Sequence, residues 1–200
     1  MLAHKPVLTG TVEPPEGPWP PDDELLALAA GGDAELVTPL RFGPAVSPHL
    51  AAELAGEPLD VLAMLARARA LDPGPGGAVV VEGVGGLLVP LAEGWLVRDL
   101  ASELGLPLLI AARPGLGTIN HTLLTLAAAR SAGLSVRAVV LTPWPESPSE
   151  IERSNRETVA RLGDVEVCGL APVARPERRL LAAAGEALPW PAWLGGPNQP

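Results

Sequence analysis

Short apolar runs alternate with amphipathic stretches along this chain, and the alternation predicts an α/β fold. Five runs are typical of buried strands, at residues 6–10, 79–81, 107–112, 136–141 and 165–170. Stretches with helical periodicity lie near 22–30, 48–55, 59–70, 98–104, 118–132, 148–162 and 176–184. We therefore expect a mostly parallel sheet flanked by helices, in one domain over residues 1–188, followed by a Pro- and Gly-rich tail over 189–200 with little regular structure.

Capping residues predict where several helices begin and end. Asp22 or Asp23 is the expected cap of the first helix, and Gly31-Gly32 is its expected end. Ser47 is expected to cap a helix that has Pro48 in its first turn and stops at Gly56. The helix at 59–70 is expected to bury one face, made of Leu59, Leu62, Met64, Leu65 and Ala68.

The segment 79–86 joins three valines to a carboxylate and then to glycines. Its lack of alternation predicts a strand buried on both faces, with Glu82 at the carboxyl end, where open α/β sheets bind ligands. A carboxylate there can hold Mg²⁺, and Gly83 and Gly85 let backbone amides approach an anion. A buried strand followed by a plain Gly-rich turn explains this segment equally well.

Lys5 is the only lysine among fourteen basic residues, the other thirteen being arginine. A compact ammonium can fill a role that a planar guanidinium cannot. For this residue alone, however, a lysine that lies on the surface by chance is the simpler interpretation. Together, Lys5, Asp23 and Glu82 are the set that a metal–phosphate site needs, with two carboxylates for Mg²⁺ and one ammonium for the transferring phosphoryl group.

The segment 115–118, Gly-Leu-Gly-Thr, precedes a predicted helix and offers free amides to a carboxylate or phosphate. Taken alone, it is equally an ordinary strand-to-helix turn. His49 and His121 have no carboxylate or serine partner in sequence, so we expect structural roles for both. The single cysteine, Cys168, excludes an internal disulfide and a Cys-based zinc site, and we expect an inert thiol.

The net charge of −9 argues against nucleic acid or an anionic membrane surface as the main partner. No apolar run approaches the roughly 20 residues of a membrane span, and the N-terminus lacks a signal-peptide core. We therefore expect a cytoplasmic protein that binds small molecules.

Five motifs, in this order and spacing, resemble those of dethiobiotin synthase: 4–10 (HKPVLTG), 23–26 (DELL), 47–52 (SPHLAA), 81–91 (VEGVGGLLVPL) and 115–122 (GLGTINHT). The resemblance covers about residues 5–172. It implies a P-loop NTPase-like fold and an enzyme that makes the ureido ring of dethiobiotin. The substrates would be 7,8-diaminononanoate, CO₂ and a nucleoside triphosphate such as ATP, with Mg²⁺, and the intermediate a phosphorylated carbamate.

The resemblance also implies a role for individual residues. Lys5 would neutralise the carbamate and the transferring phosphoryl group, Asp23 and Glu82 would hold Mg²⁺, and Thr9 and Ser47 would contact the diamine. The substrate carboxylate would lie at a helix N-terminus across a homodimer interface, in contact with Gly117, Thr118, Ile119 and Asn120. The nucleotide would contact Asp23, Glu82, Gly83, Gly85, Thr142 and Pro172.

The chain departs from the family at two places. The family opens with a strand, a P-loop of the form G-x-x-x-x-G-K-[ST] and a helix, and the 200 residues contain no such motif, since no glycine precedes Lys5. We expect from this that the start codon was placed too late, that two strand edges lack partners, and that the 200 residues alone transfer phosphate poorly. The second departure is Thr142, which stands where the family often has Asn; its single hydroxyl leaves the choice of nucleobase open.

Two alternatives stay open at the level of sequence. One is another P-loop ligase or a partitioning-type ATPase, against which the Lys5 and Ser47 motifs count because such ATPases bind no diamine. The other is a degraded paralogue that binds the diamine, or a full-length partner, without catalysis.

Overall fold

The computed structural model describes residues 1–14 and 19–194, and it confirms the α/β class. The parts of the predicted loop at 13–21 and of the tail at 189–200 that fall on residues 15–18 and 195–200 lie outside the described residues. The chain divides into two compact units, one made of residues 1–104 with 175–178 and the other of residues 105–174 with 179–200. The number of domains stays a prediction.

The first unit contains six short strands and five helices among its described residues. The strands are β1 (Leu2–His4), β2 (Val7–Leu8), β3 (Leu40–Arg41), β4 (Val79–Val81), β5 (Pro90–Ala92) and β6 (Trp95–Leu96). The helices are α1 (Asp22–Ala30), α2 (Ala34–Val37), α3 (Pro48–Ala55), α4 (Val61–Arg69) and α5 (Val97–Leu104).

Parallel pairing organises this unit. β1 pairs with β4, with His4 opposite Val81, and β2 pairs with β3, with Leu8 opposite Arg41. β5 and β6 form an antiparallel hairpin that the sequence pattern did not predict. Helices α3, α4 and α5 enclose the core with the neighbouring strands, and its buried residues include Val7, Phe42, Ala51, Ala52, Val61, Met64, Leu65, Leu91, Val97 and Leu100.

The second unit contains the strands β7 (Leu108–Ala112), β8 (Val136–Leu141) and β9 (Glu166–Gly169). Its helices are α6 (Thr118–Ser131), α7 (Glu150–Gly163), α8 (Arg178–Glu186) and α9 (Trp190–Trp193). All three strands are parallel, and β8 lies between β7 and β9. Because β8 has a strand on each side, Ala138, Val139 and Leu141 are fully buried, as the apolar run predicted.

Most predicted helix ends are confirmed, but the first cap is not. α1 begins after Pro21 without any side-chain cap, so neither Asp22 nor Asp23 caps it, and both instead lie in the first helical turn. α3 spans the predicted residues, yet Ser47 makes no capping hydrogen bond. Gly31 and Gly56 end their helices in the left-handed conformation, as predicted.

The predicted burial of Leu62 was wrong. Leu62 is 69% exposed because α4 begins at Val61 and buries the stripe formed by Val61, Met64, Leu65 and Ala68 instead. Within the described part of the predicted tail, Trp190–Trp193 form the short helix α9, whose Trp193 is 5% exposed and packs on Ala138 and Val140.

The strand β4 is less buried than its valine run predicted, since Val80 is 45% exposed. Among the described strands, β4 pairs only with β1, and β7 pairs only with β8. In this structure, an apolar run therefore occurs in a strand that pairs with only one other described strand. No helix within the described residues is long and apolar enough to cross a membrane.

Candidate active site

Lys5 and Glu82 meet because each follows one of two paired parallel strands. His4 and Val81 are opposite each other in the β1–β4 register, so the next residue of each strand leaves the sheet at the same end. The Lys5 ammonium Nζ lies 2.7 Å from Glu82 Oε1. The prediction that these two side chains converge is therefore confirmed.

The second carboxylate on Lys5 comes from Asp22 rather than Asp23. Asp22 Oδ2 lies 2.5 Å from Lys5 Nζ. The Lys5 side chain is only 5% exposed, whereas the side chains of Asp22 and Glu82 are 56% and 43% exposed. A buried ammonium therefore lies beneath two carboxylates that reach solvent.

The electrostatics of this cluster keep Lys5 charged. Burial by itself lowers the pKa of Lys5, but the hydrogen bonds and charges of Asp22 and Glu82 outweigh it, so the pKa is raised above its ordinary value. An ammonium has three N–H donors, and the two carboxylates accept two of them. One donor of Lys5 thus remains for a further oxygen ligand.

Asp23 occupies a different environment, one residue along the same helix. It is 4% exposed, and its Oδ2 forms an ion pair with Arg41 on β3. Its other oxygen, Oδ1, is buried and has no hydrogen-bond partner among the described residues. Sequence reasoning missed Arg41, which offers no motif to identify it, and missed Asp22 as the partner of Lys5.

No cluster of three or more His, Cys, Asp or Glu side chains suited to a metal ion exists in the part of the chain that the structure describes. Asp22 and Glu82 nevertheless share Lys5, and the orphaned Oδ1 of Asp23 is an unfilled acceptor. Mg²⁺ is usually bound through one or two carboxylates together with substrate phosphates and water. The carboxylates at this sheet edge fit that requirement.

The glycines after β4 are explained partly by packing. A Cβ at Gly83 would lie 2.8 Å from Val97 Cγ1, and one at Gly85 would lie 3.0 Å from Val89 Cγ2. Gly85 also has a φ of +67°, which glycine adopts most readily. These contacts account for the glycines without a ligand, so their predicted contact with a nucleotide stays a prediction.

The predicted diamine contacts lie in the first unit. Thr9 is half-buried directly after β2, and Ser47 is half-buried before α3. Because Ser47 does not cap α3, its hydroxyl is not committed to the first turn of that helix. Their contact with a substrate stays a prediction.

In the second unit, Gly117 precedes α6 with a φ of +90°, and Ile119 and Asn120 lie in the first turn. Thr118 is buried, and its amide already donates to the Gly115 carbonyl. Sequence reasoning also missed Asn155 on α7, whose carboxamide donates to the carbonyls of Pro114 and Gly115 over 2.9 and 3.1 Å. Asn155 therefore fixes the loop that leads into α6.

The predicted nucleobase positions lie at the ends of strands in the second unit. Thr142 follows β8 and donates its amide to the Ala112 carbonyl over 2.9 Å. Pro172 is exposed after β9. The indole of Trp144 stands between them along the chain, with the guanidinium of Arg156 5.5 Å from its ring centre.

The chain is similar to proteins of known family over most of its length. The family described as an AAA domain matches residues 4–176. The ATP-dependent dethiobiotin synthetase BioD of Haloferax mediterranei is 41% identical over 172 residues, which cover 83% of this chain and 72% of that protein. The protein of the same name from Mycobacterium marinum is 39% identical over 202 residues, covering 98% of this chain and 86% of that protein.

A third relative of the same name, from Bacillus subtilis, is 38% identical over 141 residues, or 69% of this chain and 59% of that protein. The resemblance inferred from the motifs is thereby confirmed. Relatives about 40% identical over more than two thirds of their length show the family: the chain belongs to the ATP-dependent dethiobiotin synthetases.

Proposed function

We propose that this protein is an ATP-dependent dethiobiotin synthetase, acting in the cytoplasm as a homodimer. It closes the ureido ring of 7,8-diaminononanoate with CO₂ and ATP. Support comes from the family and from one observation, the buried Lys5 ammonium held between Asp22 and Glu82. Structural lysines are seldom so deeply buried, and charged groups of this kind cluster at functional sites.

The reaction needs positive charge at each of its steps. One amine of the substrate attacks CO₂ and loses a proton, giving a carbamate. A carbamate oxygen then attacks the γ-phosphorus and ADP leaves, which produces a carbamic–phosphoric anhydride. The second amine attacks the carbonyl carbon and loses a proton to solvent as phosphate leaves, closing the ring.

Lys5 is the residue proposed to stabilise these anionic oxygens. Its remaining N–H donor is available to a carbamate or phosphoryl oxygen, while burial strengthens the interaction by excluding water. Asp22 and Glu82 keep the ammonium charged and oriented before substrate arrives. No reorganisation of the charge is then needed during the reaction.

We propose Asp23 and Glu82 as ligands of Mg²⁺, with Asp22 completing the environment of Lys5. Mg²⁺, when bound, supplies charge neutralisation at the β- and γ-phosphates of ATP. The free Oδ1 of Asp23 supports this assignment, because a buried carboxylate oxygen without a donor has unused capacity to bind a cation.

The remaining assignments follow the family resemblance. Thr9 and Ser47 contact the diamine, and the helix start at 117–120 receives the substrate carboxylate across the homodimer interface. Gly83, Gly85, Thr142 and Pro172 contact the nucleotide. The uncommitted hydroxyl of Ser47 and the positive end of α6 support these contacts.

A second candidate function is the alternative that the sequence left open, a paralogue that binds the diamine without catalysis. The chain would then bind the diamine without transferring phosphate. Isothermal titration with 7,8-diaminononanoate and with Mg-ATP separately distinguishes the two functions. Diamine binding without ATP binding supports the second function, and phosphate release that needs both substrates supports the first.

Carbamate formation tests Lys5 without any nucleotide. ¹³C NMR of the protein with ¹³CO₂ and the diamine should show a bound carbamate, which Lys5→Gln should abolish. Arg69→Gln is the matched control, because Arg69 pairs with Glu103 on the surface of the same unit and its loss changes net charge equally. Carbamate that survives Lys5→Gln would refute the role of Lys5.

A further inference from the structure

A cavity of about 200 Å³ lies in the first unit, beside the residue that precedes Lys5. Its walls are mainly apolar, and Pro6, Leu40, Phe42, Leu59 and Met64 supply most of them. A space of this size holds a molecule about as large as a single or fused aromatic ring.

His4 is the buried polar group of this cavity. It is 3% exposed, and the Val37 carbonyl lies beside its imidazole, although neither Nδ1 nor Nε2 makes a well-formed hydrogen bond to a described residue. A carbonyl can accept from only one ring N–H, so at least one ring nitrogen is left without a partner. Most buried polar side chains in proteins have a partner, so this nitrogen indicates that a ligand or water completes it.

The cavity is separate from the Lys5 cluster. Adjacent residues of an extended chain point to opposite faces, so His4 and Lys5 face different sides of the chain. Consistently, His4 is among the residues that line the cavity, whereas Lys5, Asp22 and Glu82 are not. Occupation of the cavity therefore leaves the proposed active site open.

The charges around the cavity indicate that its ligand is uncharged. A neutral imidazole has one N–H donor and one acceptor nitrogen. Arg67, Glu57 and Asp60 on the lining are all exposed, and together they carry no excess of positive charge that would select an anion.

We propose that this cavity is a binding site for a small neutral molecule that has an apolar ring and one hydroxyl or ring N–H group. The ring fills the apolar walls, and the polar group bonds to His4. Phenols and indoles have this chemistry. The site lies outside the machinery proposed for ring closure, so it is independent of that function.

NMR titration of the protein with phenol, indole, toluene and benzoate tests the proposal. Phenol and indole should bind roughly tenfold more tightly than toluene, because toluene lacks the group that meets His4. They should also shift the imidazole ¹⁵N resonances of His4. Benzoate should bind more weakly than phenol, since its charge must be desolvated.

Variants separate recognition by His4 from simple filling of the cavity. His4→Leu should weaken phenol binding roughly tenfold, leave toluene binding unchanged and preserve the fold, since an unpartnered polar group is replaced by an apolar one. Ala63→Phe should block every probe, because Ala63 lines the cavity from α4. Ala66→Phe, on an exposed position of the same helix outside the cavity lining, is the matched control and should change nothing.

Four results would overturn the proposal. Equal binding of phenol and toluene, or phenol binding that survives His4→Leu, would show a cavity without polar recognition. Binding of no probe at all would show that water alone completes His4. Tighter binding of benzoate than of phenol would show that the site selects anions through Arg67.

Discussion

Removing the two carboxylates around Lys5 should destabilise the protein more than removing Lys5 itself. The asymmetry follows from burial, since the Lys5 side chain is 5% exposed while Asp22 and Glu82 are about half exposed. Lys5→Met leaves two carboxylates that water can solvate. The double substitution Asp22→Asn with Glu82→Gln leaves an ammonium that water cannot reach.

The magnitudes come from the difference between exposed and buried ion pairs. Lys5→Met should cost about 1 kcal/mol, because pairs with exposed partners contribute about 0–1 kcal/mol. The double substitution should cost about 3 kcal/mol. Breaking a buried pair costs about 3–5 kcal/mol, and the carbonyl oxygens of Asn and Gln still accept hydrogen bonds from Lys5, which places the value at the lower end.

The dependence of stability on pH should reverse sign between the two proteins. In the wild type the pKa of Lys5 is raised, so its stabilisation is complete below the unfolded pKa of about 10.4 and is lost as pH rises through the folded value. In the double variant burial dominates and lowers the folded pKa below about 10.4. Its Lys5 contribution should therefore recover as pH rises towards that value.

Urea unfolding at pH 7 measures the cost of each substitution. The same measurement from pH 7 to about pH 11 follows the two trends, because the wild-type loss begins only above the unfolded pKa of about 10.4. The control is the triple variant that adds Lys5→Met to the two carboxylate substitutions, because it has no buried charge and should regain most of the lost stability. The reasoning is refuted if Lys5→Met costs as much as the double substitution. It is also refuted if the triple variant is no more stable than the double one.

Three further substitutions test the surroundings of the site. Arg41→Met should cost about 3–5 kcal/mol in urea unfolding because it leaves Asp23 buried and unpaired, and adding Asp23→Asn should recover part of the loss; equal stability of the two would contradict this. Ser149→Ala should cost about 1 kcal/mol, because Ser149 forms the capping box of α7 with Glu152, and a change within error would contradict it. Asn155→Ala should cost about 1–3 kcal/mol and speed amide hydrogen exchange at residues 115–121, since it frees two carbonyls; unchanged exchange there would show that Asn155 does not fix the loop.

The convergence of Lys5 and Glu82 could be predicted only in part. The valine run identified β4 and placed Glu82 at a carboxyl edge of the sheet. The first strand, however, was predicted at residues 6–10, so β1 (Leu2–His4), which precedes Lys5, was missed. The pairing partner could not be predicted. β1 and β4 are separated by more than seventy residues, and nothing in a local pattern names one strand as the neighbour of another.

The choice between Asp22 and Asp23 depends on helix phase, which the sequence left undetermined. Successive residues of a helix point about 100° apart, so only one of two adjacent aspartates can face Lys5. The expectation that an aspartate caps α1 was wrong because Pro21 holds that position. The contact with Arg41 then depends on β3, a two-residue strand too short to show any periodicity.

The acidic start of α1 has two explanations, and only the burial of Lys5 separates them. Asp22, Asp23 and Glu24 all lie in the first turn, where carboxylates stabilise any helix through its dipole. An exposed lysine nearby would pair with these carboxylates without the free-energy cost of burying an ammonium. Burying the ammonium gains only about 1 kcal/mol over an apolar side chain of similar volume, because desolvation offsets most of the attraction to the carboxylates. The only lysine of the chain nevertheless occupies this buried position. A need for positive charge at the sheet edge explains that position better than folding does. The proposed reaction is therefore assigned to Lys5 rather than to the aspartates beside it.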